Sequence, residues 1–164
     1  MISMFSFDSS CDDSSYRYKL PETLIRTTKA KGGETYIINI EDISKSLNRD
    51  EELFADFIKK QGCPTSIVKE GSKKVLKLNK IMNVEEINIY ISKIRNDFVL
   101  CKTCDNPETH FIISKKELSL KCDACGNINK IIPSKESKDI VNKLEKKLLD
   151  EYKKNKKNKK TKKE

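Results

Sequence analysis

Four cysteines carry the most legible chemistry in this chain. Cys101 and Cys104 form one Cys-x2-Cys pair, seventeen residues follow, and Cys122 and Cys125 form a second. A two-residue spacing lets both thiolates of a pair reach one ion from a single tight turn. The spacer is long enough for a hairpin that returns the second pair to the first. Four thiolates then close a tetrahedron around zinc at about 2.3 Å per Zn–S bond. With every position filled by protein the site has no opening for a substrate, so the expected role is structural. Gly126, directly after the last cysteine, can take the positive φ that aims backbone N–H groups at sulfur. Asp105 and Asn106 are placed to do the same after the first pair. His110, the single histidine, is read as a surface residue because the thiolates already number four. Cys63 is expected to pack at a helix end, and Cys11 to lie in a loose terminus.

Positioning these sulfurs requires a zinc ribbon, expected over residues 97–132. Its strands are read at Phe98–Leu100, His110–Ile113 and Leu118–Cys122. The ribbon alone has too few apolar residues to hold its shape, so metal binding there is also folding. Before it, residues 16–96 read as a small α+β domain with a mostly antiparallel sheet. Thr35–Ile40 is β-branched and aromatic and is entered from the Gly32–Gly33 turn. Asp42–Leu47 reads as a short helix. Asp50 is the expected cap of a second helix, Glu51–Gln61, with Leu53, Phe54, Phe57 and Ile58 on one face and Gly62 at its end. Strands at 65–69 and 74–78 flank Gly71–Ser72 as a hairpin. Asn83 then caps a helix to about Asn96 whose stripe is Val84, Ile87, Ile91 and Ile94. After the ribbon, residues 133–152 read as a helix capped by Ser134, with Ile140, Leu144 and Leu148 recurring every four residues. The fold class is therefore α+β: a small mixed domain, a four-cysteine ribbon, a C-terminal helix and a lysine-rich tail expected to be disordered.

Composition narrows the function classes. The chain has 164 residues and a net charge of +9, and 36% of its residues are charged. Two modest cores are expected, the smaller needing a metal. Residues 153–164 hold eight lysines and one glutamate, which is +7 of the total, so the body is near neutral. Like charges repel and nothing apolar can be buried in that tail. Residues 1–15 read as a mobile arm. No stretch approaches the ~20 apolar residues of a membrane span, and the start lacks the basic and apolar regions of a signal peptide. A cytoplasmic location is expected, where paired Cys-x2-Cys motifs favour metal over disulfides. One histidine and no Gly-rich phosphate loop leave no catalytic centre of the chain's own.

Three segments carry a resemblance. Phe98-Val-Leu-Cys-Lys-Thr-Cys-Asp-Asn-Pro-Glu-Thr109, Tyr16-Arg-Tyr-Lys-Leu-Pro21 and Ile40-Glu-Asp-Ile-Ser-Lys-Ser-Leu-Asn-Arg49 together resemble eukaryotic translation initiation factor 5 over residues 16–132. The beta subunit of initiation factor 2 shares this domain pair. Tyr16–Lys19, Asn106–Thr109 and the absence of a clear helix before the α+β domain favour factor 5. The seventeen-residue spacer, and Asn48-Arg49-Asp50 leading straight into a helix, favour the beta subunit, which would instead help bind initiator tRNA and GTP. The factor 5 resemblance implies stimulation of GTP hydrolysis by initiation factor 2 on the small ribosomal subunit during start-codon selection. Its implied partners are the GTP-bound gamma subunit, the small subunit and initiator tRNA, with no homo-oligomer. It places an arginine finger at Arg17, acting in trans, and RNA or partner contacts at Tyr16, Tyr18, Lys19 and Arg49. The chain departs from the pattern at Glu34 and Asp56, where factor 5 carries basic residues, and in the short loop Lys29–Gly33. No helical-repeat domain follows the ribbon, so docking through such a domain is not expected.

Overall fold

The computed structural model describes residues 4–6, 18–29, 32–114, 117–132 and 137–160. It divides into two compact units, with the boundary between Leu100 and Cys101.

In the first unit β1 (Met4–Ser6) pairs antiparallel with β2 (Lys19–Pro21). A four-stranded antiparallel sheet follows, built from β3 (Ile25–Thr28), β4 (Glu34–Ile37), β5 (Thr65–Glu70) and β6 (Lys73–Leu78) in the order β3-β4-β6-β5. The register puts Thr35 opposite Leu78 and Ile37 opposite Leu76, so the side chains of these four residues share one face. All four are fully buried, in the layer where α1 (Ile40–Ser46) packs against β6 and α2 (Glu51–Lys60) against β5. Leu53, Phe54, Phe57 and Ile58 of α2 are buried, as their helical spacing predicts. The opposite face carries Arg26, Tyr36, Lys77 and Ser66 in one cross-strand rank.

Helix α3 (Val84–Phe98) begins in a full capping box: the Asn83 side chain accepts from the Glu86 backbone N–H at 2.8 Å, and Glu86 accepts from the Asn83 N–H at 3.0 Å. Its stripe of Ile87, Ile91 and Ile94 extends to Phe98, whose ring meets Phe57 edge-on with centroids 6.4 Å apart. The strand expected at Phe98–Leu100 is therefore absent. Phe98 completes the helical stripe, and the Val99 and Leu100 N–H groups fold back onto the Arg95 carbonyl at 3.0 and 2.9 Å.

Two other expectations shift. The strand read as Thr35–Ile40 ends at Ile37, because Asn39 turns inward. Its Nδ2 donates to the Glu22 carbonyl at 2.7 Å and its Oδ1 accepts from the Leu24 N–H at 2.9 Å. Helix α1 then starts at Ile40 rather than Asp42. Asp50 occupies the N-cap position of α2 in extended backbone, without the side-chain capping bond.

The second unit is a three-stranded antiparallel sheet, β7 (Thr109–Ser114), β8 (Glu117–Cys122) and β9 (Ile128–Lys130), in that order. Helix α4 (Lys138–Lys160) packs on β7 and β8. Ile140 and Val141 are buried there, and Glu145 accepts the Leu118 N–H at 2.9 Å. The helix runs on past Tyr152, where the sequence reading ended it, to Lys160, consistent with lysine's good helix propensity and the lack of Gly or Pro. The Ser134 cap lies outside the described residues.

Candidate functional site

The two Cys-x2-Cys pairs form matching turns. In the first, the Asp105 N–H donates to the Cys101 carbonyl at 2.9 Å and the Cys101 N–H to the Asn106 carbonyl at 3.0 Å. In the second, Gly126 and Cys122 repeat both bonds, with the Cys122 carbonyl and the Asn127 carbonyl, at 3.0 Å each. The residue after each pair takes a left-handed backbone, Asp105 at φ 53° and Gly126 at φ 74°. Asp tolerates that region better than most residues and Gly occupies it without strain. The two turns thus repeat one hydrogen-bond pattern. In each pair the first cysteine is buried and the second exposed.

All four sulfurs lie within 4.8 Å of one another. Cys101 and Cys125 are 3.7 Å apart, as are Cys104 and Cys122. A regular tetrahedron of thiolates at zinc-like bond lengths has edges of about 3.8 Å, so the donor set fits one metal ion. Burial acts to raise the Cys101 thiol, but donation from the Thr103 and Cys104 backbone N–H groups, together with the Cys125 and Cys104 thiols, outweighs it and holds the thiol down to about 6. Thr103 N–H reaches that sulfur at 3.4 Å and Asn129 Nδ2 at 3.3 Å. Sequence reasoning missed Asn129, because it lies on β9, far along the chain from Cys101. His110 is not part of the four-sulfur cluster; its Nδ1 lies 3.2 Å from the Asp123 carboxylate. Cys63 is buried just beyond the end of α2, where burial raises its thiol.

The residues expected to act on partners are placed less uniformly. Tyr16, Arg17 and Cys11 lie outside the described residues. Tyr18 and Lys19, which opens β2, are half-buried. Arg49, read from the sequence as a contact for RNA or a partner, is only 7% exposed. Its Nε and Nη2 donate to the Phe98 carbonyl at 2.9 and 2.7 Å, and Nη1 to the Asn48 carbonyl at 2.7 Å. Burial pulls its guanidinium down to about 10, with the Asp50 carboxylate opposing the shift. Arg49 thus holds the C-terminus of α3. Glu34 is also largely buried. It accepts from the Tyr36 hydroxyl at 2.7 Å and pairs with Lys77 at 2.8 Å, and it raises both the Tyr36 phenol and the Lys77 ammonium. Asp56 lies half-buried on α2.

A family model described as a domain found in initiation factors 2B and 5 matches residues 8–128. The chain belongs to the family shared by translation initiation factor 5 and the beta subunit of translation initiation factor 2. Eukaryotic translation initiation factor 5 of Dictyostelium discoideum is 34% identical over 122 residues, covering 73% of this chain and 30% of the relative. Translation initiation factor 2 subunit beta of Methanocaldococcus jannaschii is 32% identical over 115 residues, covering 70% of this chain and 76% of the relative. Factor 5 of Saccharomyces cerevisiae is 32% identical over 117 residues, with 70% of this chain and 28% of the relative covered. The chain therefore spans under a third of these factor 5 relatives and about three quarters of the archaeal beta subunit. Among the described residues no helix is long and apolar enough to cross a membrane.

Proposed function

We propose that this initiation factor acts as factor 5 does, stimulating GTP hydrolysis by initiation factor 2 on the small ribosomal subunit while the start codon is selected. The observation that carries this reading is the 34% identity to a factor 5, within a family match that includes the N-terminal arm from residue 8 onward. Arg17, in the Tyr16–Pro21 segment that follows residues 1–15, is the arginine finger. A planar guanidinium meets phosphate oxygens through two parallel N–H donors, and a finger supplied in trans is worth about 10³–10⁵ in rate. The chain supplies charge to another protein's site and has no catalytic centre of its own. Its partners are the GTP-bound gamma subunit, the small subunit and initiator tRNA, in the cytoplasm, with Tyr16, Tyr18 and Lys19 as contacts for RNA or a partner. The ion held by Cys101, Cys104, Cys122 and Cys125 is zinc in a structural role, a reading supported by four thiolate donors at tetrahedral spacing.

The second reading is a beta subunit of initiation factor 2. It is favoured by the 76% coverage of the archaeal subunit. Multiple-turnover GTP hydrolysis by factor 2 on small subunits separates the two. Stimulation by substoichiometric chain supports the factor 5 reading. No stimulation, with stable one-to-one co-purification with the gamma subunit, replaces it by the beta reading.

A further inference from the structure

The Cys101 sulfur is embraced by more than the other three thiols. Thr103, inside the same turn, donates its backbone N–H to it at 3.4 Å. Asn129 reaches it from β9 with Nδ2 at 3.3 Å. The Asn129 carboxamide is fixed at its other end, where Oδ1 accepts from the Thr103 hydroxyl at 3.3 Å. The amide is thus clamped with its oxygen on Thr103 and its NH2 on sulfur. One residue of the first turn and one of β9 share a closed loop of three hydrogen bonds around a buried cysteine.

Four thiolates around one dication leave excess negative charge on sulfur, and outer donors that take up part of that charge govern how firmly the ion is held. We propose that Asn129 is a positioning residue of the metal centre: it donates to the Cys101 thiolate, damps its nucleophilicity and ties β9 to the first Cys-x2-Cys turn. Asn129 touches no ion itself and acts through Cys101. The inference rests on the zinc reading above.

Two substitutions separate donation from simple space-filling. Asn129→Ala removes the donor and the Thr103 acceptor together. Asn129→Asp keeps the shape and the acceptor but sets a second anion against the thiolate. Zinc affinity of the full chain is measured by competition with a chromophoric chelator. Alkylation of each cysteine in the zinc-loaded protein is followed residue by residue by mass spectrometry.

The wild type is expected to bind one zinc ion per chain. Asn129→Ala should weaken binding by about 10–100-fold, and Asn129→Asp by more than Asn129→Ala. In both variants Cys101 should be alkylated faster relative to Cys104. An Asp variant milder than the Ala variant, or unchanged Cys101 reactivity, would overturn the proposal while leaving the zinc reading intact. A wild type that takes up no zinc would overturn both.

Discussion

Arg49 owes its place to the residue before it. Asn48, at φ 52°, turns the chain out of α1, and the Asn48 and Arg49 N–H groups bond back to the Lys45 and Ser44 carbonyls at 3.0 and 2.9 Å. That is a Schellman closure with Asn in the left-handed position. It aims the Arg49 guanidinium at the Phe98 carbonyl. Arg49→Met keeps the apolar stem but leaves that buried carbonyl without its charged donor. It is expected to destabilise the first unit by about 1–3 kcal/mol, read as a lower urea midpoint at unchanged slope. A midpoint equal to wild type would remove this role. Gly33 is a second residue-level constraint. It sits at φ 97°, and a Cβ there would overlap Cγ1 and Cδ1 of Ile81. Gly33→Ala should cost about 1–3 kcal/mol in the same assay. The sequence spacing named all four thiols, and the turn glycine after the second pair is visible in it too. The inward turn of Arg49 was not legible, because a charged side chain in a polar Leu-Asn-Arg turn reads as solvated until the backbone shows where it points.

At the scale of elements, helices with strong local signals were legible and strands without them were not. The stripes of α2 and α3 and the Asn83 cap follow from apolar period and capping chemistry. Strand β3 was missed because Ile25–Thr28 is short and follows no turn signal, although its three β-branched residues hint at it. β9 was missed for the same reason: three residues after a knuckle carry no periodicity. The apolar run Phe98–Leu100 looked like a strand because a helix end and a short buried strand share one composition. Two substitutions test the elements themselves. Asn83→Ala should cost about 1 kcal/mol, seen as faster amide exchange in the first turn of α3. Glu145→Ala orphans the Leu118 N–H under α4 and should lower the melting temperature of the zinc-loaded second unit, with the first unit's transition unmoved. Equal loss in both transitions would mean that Glu145 does not act locally.

For the whole molecule, the two units are stabilised by different means. The first has a buried layer of Ile37, Leu76 and Leu78 under helices whose largest members are Phe54 and Phe57. The second has a three-stranded sheet with α4 packed on β7 and β8 and a separate cluster of four thiols, and on the zinc reading its folding is coupled to metal. Excess chelator should therefore unfold residues 101–132 while the amide signals of residues 34–98 persist. A ribbon keeping its native amide spectrum without metal would contradict this division. The function proposed for the whole chain depends on neither core but on Arg17. The most direct measurement is single-turnover GTP hydrolysis by initiation factor 2 on small subunits, with wild-type chain, Arg17→Lys and Arg17→Ala. The expected result is strong stimulation by wild type, loss of most of it in Arg17→Ala, and little rescue by lysine, which keeps the charge but not the fork. Equal stimulation by wild type and Arg17→Ala would contradict the account.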